Sequence, residues 1–106
     1  MMQEKKFTDL ALAFPVTVQQ PHFNRTGYKI VGKEIFATYL ATDNTANIFL
    51  SPEEQLIFCT MHSDIYPVAN KWGEKGATPF DLNQVPEAIV HEALLSAYQA
   101  AISPKK

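Results

Sequence analysis

The residues in this chain best suited to chemistry or to binding are few. The only tryptophan, Trp72, stands between Lys71 and Lys75 and against Gly73 and Gly76, just after Tyr66-Pro67. Each glycine costs about 1 kcal/mol inside a helix and Pro67 removes a donor, so this stretch reads as a loop. A large ring on a glycine-hinged loop is either a plug for the core or a platform for a ligand. His22, Phe23 and Tyr28 form a second aromatic region, among Arg25, Lys29 and Lys33. Stacking on an exposed ring contributes roughly 1–3 kcal/mol per base of a single-stranded nucleic acid. The cations of the two regions outnumber Glu34 and Glu74, whereas Glu53, Glu54 and Asp64 gather near the middle of the chain. That split would give one positive face. The competing reading buries Phe23 and Trp72 and leaves the lysines to guard β-edges against aggregation. Both readings stay open at this level.

The remaining constellations are poorer. Cys59 and His62 lie three apart and would share a helical face, but no paired motif such as Cys-x-x-Cys or His-Glu-x-x-His accompanies them. A Cys–His nucleophile would also need an orienting third group and an oxyanion pocket. Cys59 reads better as a small core residue. Glu53 and Glu54 fit capping and the helix dipole better than acid–base work. Gly73-x-x-Gly76 lacks the Gly-Lys-Ser/Thr ending of a phosphate loop and precedes a strand. The expectation is a non-enzymatic domain with no catalytic residues, no metal site and no cofactor.

The elements that must position the aromatic and basic residues follow from periodicity. Phe7, Leu10, Ala11 and Phe14 predict a helix over about Gln3 to Ala13, stopped by Pro15. Val16 to Gln20 predicts a strand that ends at an edge or bulge, because Pro21 follows. Tyr28–Val31 and Glu34–Leu40 predict a hairpin around Gly32-Lys33, with Gly32 taking positive φ at the first turn position. Thr42–Thr45 predicts a turn and Ala46–Leu50 the next strand. Ser51-Pro52-Glu53-Glu54 has the form of a capping box opening a helix that ends by Ser63. Ile65–Val68 and Thr78–Leu82 read as short strands flanking the tryptophan loop. Pro86 opens a last helix whose stripe of Ile89, Val90, Ala93, Leu94, Ala97, Tyr98, Ala101 and Ile102 needs a sheet to cover. The order predicts an α+β fold: two layers, an antiparallel sheet of about five strands, and helices mainly on one face.

With 106 residues, one domain spanning residues 1–106 is expected. A hydrophobic share of 46% and a charged share of 19% are ordinary for a globular protein. The net charge of -2 argues against a dedicated nucleic-acid binder while leaving room for a local basic face. A single cysteine suits a reducing compartment. The polar start, with no following apolar run, shows no signal peptide, and no run approaches the roughly 20 apolar residues of a membrane span. A cytoplasmic protein with no membrane partner is therefore expected.

Several short pieces, in order, resemble the MmcQ/YjbR family. They are Leu12-Ala13-Phe14-Pro15, Pro21-His22-Phe23, Tyr28-Lys29-Ile30, Lys33-Glu34-Ile35-Phe36-Ala37, Leu50-Ser51-Pro52-Glu53, Tyr66-Pro67 with Trp72-Gly73, and Ala97-Tyr98. Together they cover the chain from about Phe7 to Ala101. The resemblance implies a fold similar to that of type III secretion chaperones, and DNA as a ligand. It brings no catalytic residues. A protein partner, held by a chaperone-like interaction module, is the alternative. The ligand-binding residues expected on these grounds are Trp72, Lys71, Lys75, His22, Arg25 and Lys33.

Overall fold

Helical spacing at the start of the chain produces α1, Glu4–Leu12, which buries Phe7 and Ala11 and stops short of Pro15. The computed structural model describes residues 2–62, 65 and 76–102. After α1 come β1 (Thr17–His22), β2 (Arg25–Ile30), β3 (Ile35–Leu40) and β4 (Thr45–Phe49). Helix α2 (Pro52–Met61), β5 (Ala77–Asp81) and α3 (Glu87–Ile102) complete the described elements. The strands form one five-stranded antiparallel sheet in the order β1-β2-β3-β4-β5. The fold is α+β, as the element order predicted.

Local chemistry explains most boundaries. Pro21 sits inside β1, an edge strand of the sheet, where its missing donor costs no ladder bond to a further strand. Ser51 caps α2, its Oγ accepting from the Glu54 amide at 3.2 Å, with Pro52 opening the helix. The reciprocal half of the expected capping box is not made. The Glu54 carboxylate instead accepts from Ser96 Oγ at 3.5 Å, which ties α2 to α3. Gly32 does take positive φ, +79°, but at the third residue of a turn that the Lys33 amide closes onto the Ile30 carbonyl. The expected two-residue turn is displaced because the register shifts between Tyr28 and Lys29, leaving Phe36 bulged on β3. β1 also runs two residues further than predicted, to His22.

Helices α1, α2 and α3 cover one face of the sheet, with α3 laid across β3, β4 and β2. Phe7 packs edge-on to Tyr28 at 5.5 Å and stacks beside Tyr39 at 5.8 Å. Tyr98 stacks on Phe14 at 4.7 Å and meets Phe36 edge-on at 6.0 Å. Phe58 of α2 meets Phe80 of β5 at 6.3 Å. On α3, Val90, Ala93, Leu94 and Ala97 are fully buried, while Ile89 is only half-buried at the rim and Ile102 is exposed. On the far side of β5, Ile65 makes a single antiparallel bridge to Phe80. The strand expected over Ile65–Val68 otherwise lies outside the described residues. Among the described residues, no helix is long and apolar enough to cross a membrane.

Candidate functional site

Strand alternation decides which residues are left for a ligand. Because Tyr28, Ala37 and Ile48 occupy one row beneath the helices, their neighbours Gly27, Thr38 and Asn47 must face the other way. Gly27 pairs with Thr38, Thr38 with Asn47, and Asn47 with Pro79, so a single row crosses the face of the sheet opposite the described helices. A groove of ≈ 680 Å³ lies over that row. Its size falls within the range of about 300–1,000 Å³ usual for small-ligand sites.

The rim of the groove is the β1–β2 hairpin. His22 pairs with Arg25, leaving Phe23-Asn24 as a two-residue loop. Phe23 has φ of 57° while Asn24 is not left-handed, the pattern of a turn that asks for glycine in first place. A bulky residue there costs about 1–2 kcal/mol. The Phe23 ring does not recover that cost by burial, for it is 94% exposed. Among the described residues its one ring neighbour is His22, edge-on at 4.9 Å. Thus Phe23 is not the core plug that one reading of the sequence made it. Tyr28, grouped with it in sequence, lies on the opposite face, fully buried, its Oη paired with Thr8 Oγ1 at 2.7 Å. Tyr28 belongs to the core and offers no surface to a ligand.

Arg25 leans into the groove from the hairpin, with Glu34 on the same rim. Ile35, Phe49 and Ala77 supply apolar walls around Thr38 and Asn47. Gly27 makes the wall possible: a Cβ there would stand 3.1 Å from Ile35 Cδ1 and 3.3 Å from His22 Cβ. Two buried polar atoms among the described residues have no hydrogen-bond partner, Arg25 Nη1 and Thr38 Oγ1. Both belong to residues lining this groove. Leaving a buried polar group unpaired costs roughly 1–3 kcal/mol, and more for a charged one, so native proteins usually pair such groups.

The expected site residues therefore separate. His22 and Arg25 come together at the groove. Lys33 is exposed on the β2–β3 turn and is not among the residues lining it. Trp72, Lys71 and Lys75 lie outside the described residues. Thr38, Asn47 and Phe49 went unnoticed in the sequence, although alternation of β3 and β4 places them on one face. Lys29 is half-buried on that same face, paired with Ile35.

Among the described residues, the ionisable groups with altered proton affinity lie on the helix side. Burial pushes up the Tyr28 phenol, partly countered by the hydrogen bond to Thr8 and reinforced by Glu4 and Tyr39. Burial, then Glu4, raises Tyr39, and burial alone raises the half-buried Cys59 thiol. Among the described residues no group of three or more His, Cys, Asp or Glu could hold a metal ion. No protein-family model matches the chain, and no curated protein is significantly similar to it.

Proposed function

We propose that this chain is a non-enzymatic binding domain, cytoplasmic and related to the MmcQ/YjbR family, that takes nucleic acid on the face of its sheet opposite the described helices. One observation carries the reading: the guanidinium of Arg25, with Nη1 buried and unpartnered, adjoins an exposed, backbone-strained Phe23 and His22 at the mouth of one groove. A cation that bonds phosphate oxygens beside rings that stack on bases is the pairing nucleic-acid binding demands. The acidic balance of the chain gives no long-range attraction, so binding rests on these local contacts. Fluorescence anisotropy of labelled single- and double-stranded DNA oligonucleotides, at low and moderate salt, tests it. Affinity should fall with salt and drop in Arg25→Ala. A flat titration at low salt rejects the reading.

A protein-interaction module is the second reading, favoured by a different surface. Leu56, Ile57 and Met61 of α2 are 71%, 48% and 48% exposed, an apolar strip on one helix of the kind that seats a second copy of a chaperone-like chain. Sedimentation of the wild-type chain and of Leu56→Glu separates the two: a dimer abolished by the charge supports the module.

A further inference from the structure

We infer that the groove takes one unpaired nucleotide, with its base on Thr38 and Asn47 and its phosphate on Arg25. The inference rests on the nucleic-acid reading and specifies its site. Thr38 is 2% exposed although it faces away from the helices, and its Oγ1 has no partner. Its cross-strand neighbour is Asn47, so the two Cβ atoms stand about 4.5–5.5 Å apart on the groove side. A hydroxyl and a primary amide held that close present donors and acceptors to the edge of a planar heterocycle. Ile35, Phe49 and Ala77 around them provide the apolar enclosure its faces require. Arg25 lines the same groove, and its planar fork suits the two free oxygens of a phosphodiester. Phe23 and His22 sit where the adjoining base of a strand would stack.

A base inside a duplex shows only its groove edges, and those could not reach the bottom of a groove between strands β2 and β5. The ligand is therefore a nucleotide free of a pairing partner, either in a single strand or as a free mononucleotide. Arg25 is the one arginine or lysine among the described residues lining the groove, so one phosphate is held rather than a track of them. Single-strand affinity should then fall with salt at a logarithmic slope of only about −0.7.

The test measures the wild type, Thr38→Val, Thr38→Ser and Arg25→Lys against labelled hexamers of each base, the matched duplexes and the four mononucleotides. Single strands should bind more tightly than their duplexes. Thr38→Val should lose roughly 3- to 10-fold on single strands, the worth of one hydrogen bond, and Thr38→Ser should restore it. Arg25→Lys should weaken every single strand alike, because it removes a phosphate fork and no base contact. Thr38→Val should also melt no lower than the wild type, since it deletes an unpartnered hydroxyl; a lower melting point would make Thr38 structural and overturn the assignment. Mononucleotides that bind as tightly as hexamers make the free nucleotide the ligand, and much tighter hexamers make it a strand. Duplexes binding as well as single strands, or Thr38→Val binding like the wild type while Arg25→Lys weakens, overturn the groove assignment and leave the broader reading standing. If no oligonucleotide binds at low salt, that broader reading fails as well.

Discussion

In the binding role proposed for it, Phe23 is the residue at which folding and binding pull in opposite directions. Its left-handed backbone and bare ring mean the chain would fold better with glycine in that place, since Gly-Asn is a pair that two-residue hairpins favour. Phe23→Gly should leave stability unchanged or raise it by up to about 1 kcal/mol, the strain relieved less the entropy glycine adds to the unfolded chain. The same change should weaken oligonucleotide binding by about 1–3 kcal/mol. Urea midpoints and anisotropy titrations on one sample check both. A marked loss of stability would show that the ring serves the fold. The hairpin around Phe23 escaped the sequence reading for this same reason: with glycine absent, Phe23-Asn24 carries no turn signal. His22 and Arg25 were legible as a ring and a cation close in sequence. Thr38 was not, because nothing in a threonine reveals which face of a strand will be left uncovered.

At the scale of elements, the sequence was most readable where a single residue sets a boundary. Pro15, Ser51-Pro52 and Pro86 each stand where a helix ends or begins. Register was less readable, since the bulge at Phe36, opposite the step from Tyr28 to Lys29, turns that ring against Tyr98 of α3, a contact far off in sequence. The entry to β5 shows how sharply a backbone can be constrained. Gly76 has φ of +106°, its carbonyl accepts from the Leu50 amide and Thr78 Oγ1, both at 2.9 Å, and a Cβ there would fall onto the Leu50 carbonyl oxygen. Gly76→Ala should cost at least about 1–3 kcal/mol through backbone strain alone. Chemical denaturation measures it, and an alanine variant of wild-type stability would refute the geometry. Along α3, Leu94→Ala should cost about 2–5 kcal/mol, because a fully buried side chain leaves a cavity between helix and sheet. A loss below about 1 kcal/mol would mean that this helix does not close the core.

For the molecule as a whole, alkaline pH is the condition that strains the core. Cys59, Tyr28 and Tyr39 all hold their protons more tightly when folded than at their ordinary values of 9.0, 10.0 and 10.0. Above those values the unfolded chain has lost protons that the native chain keeps, so stability must fall as pH rises. Below about pH 8, a unit under the ordinary thiol value of 9.0, these groups contribute their full stabilising share. Urea midpoints should hold steady to that point and then decline through pH 9 to 11, with Cys59→Ala flattening the first part of the decline. Midpoints that rise over this range would contradict the burial of the phenols. Fold class was legible at this scale because three amphipathic helices and a run of short strands admit few arrangements. Which face of the sheet would carry the groove was not, since that depends on where the three described helices dock together.

The unbroken strand order β1-β2-β3-β4-β5 also bears on how the chain reaches this state. The successive pairs β1–β2, β2–β3 and β3–β4 are each joined by a short turn, and hairpins of that kind zip within about 1–10 μs. β5 must instead wait for the chain between Phe49 and Ala77 to close before it can lie along β4. Loop closure of that length sets an entropic toll that local turns avoid. The transition state should accordingly hold the β2–β4 meander, with β5 joining after it. In a stopped-flow chevron, Ile48→Val should slow folding, whereas Phe80→Leu should chiefly hasten unfolding. The opposite partition would place the closing of that long connection at the start of folding, with the meander assembling onto it.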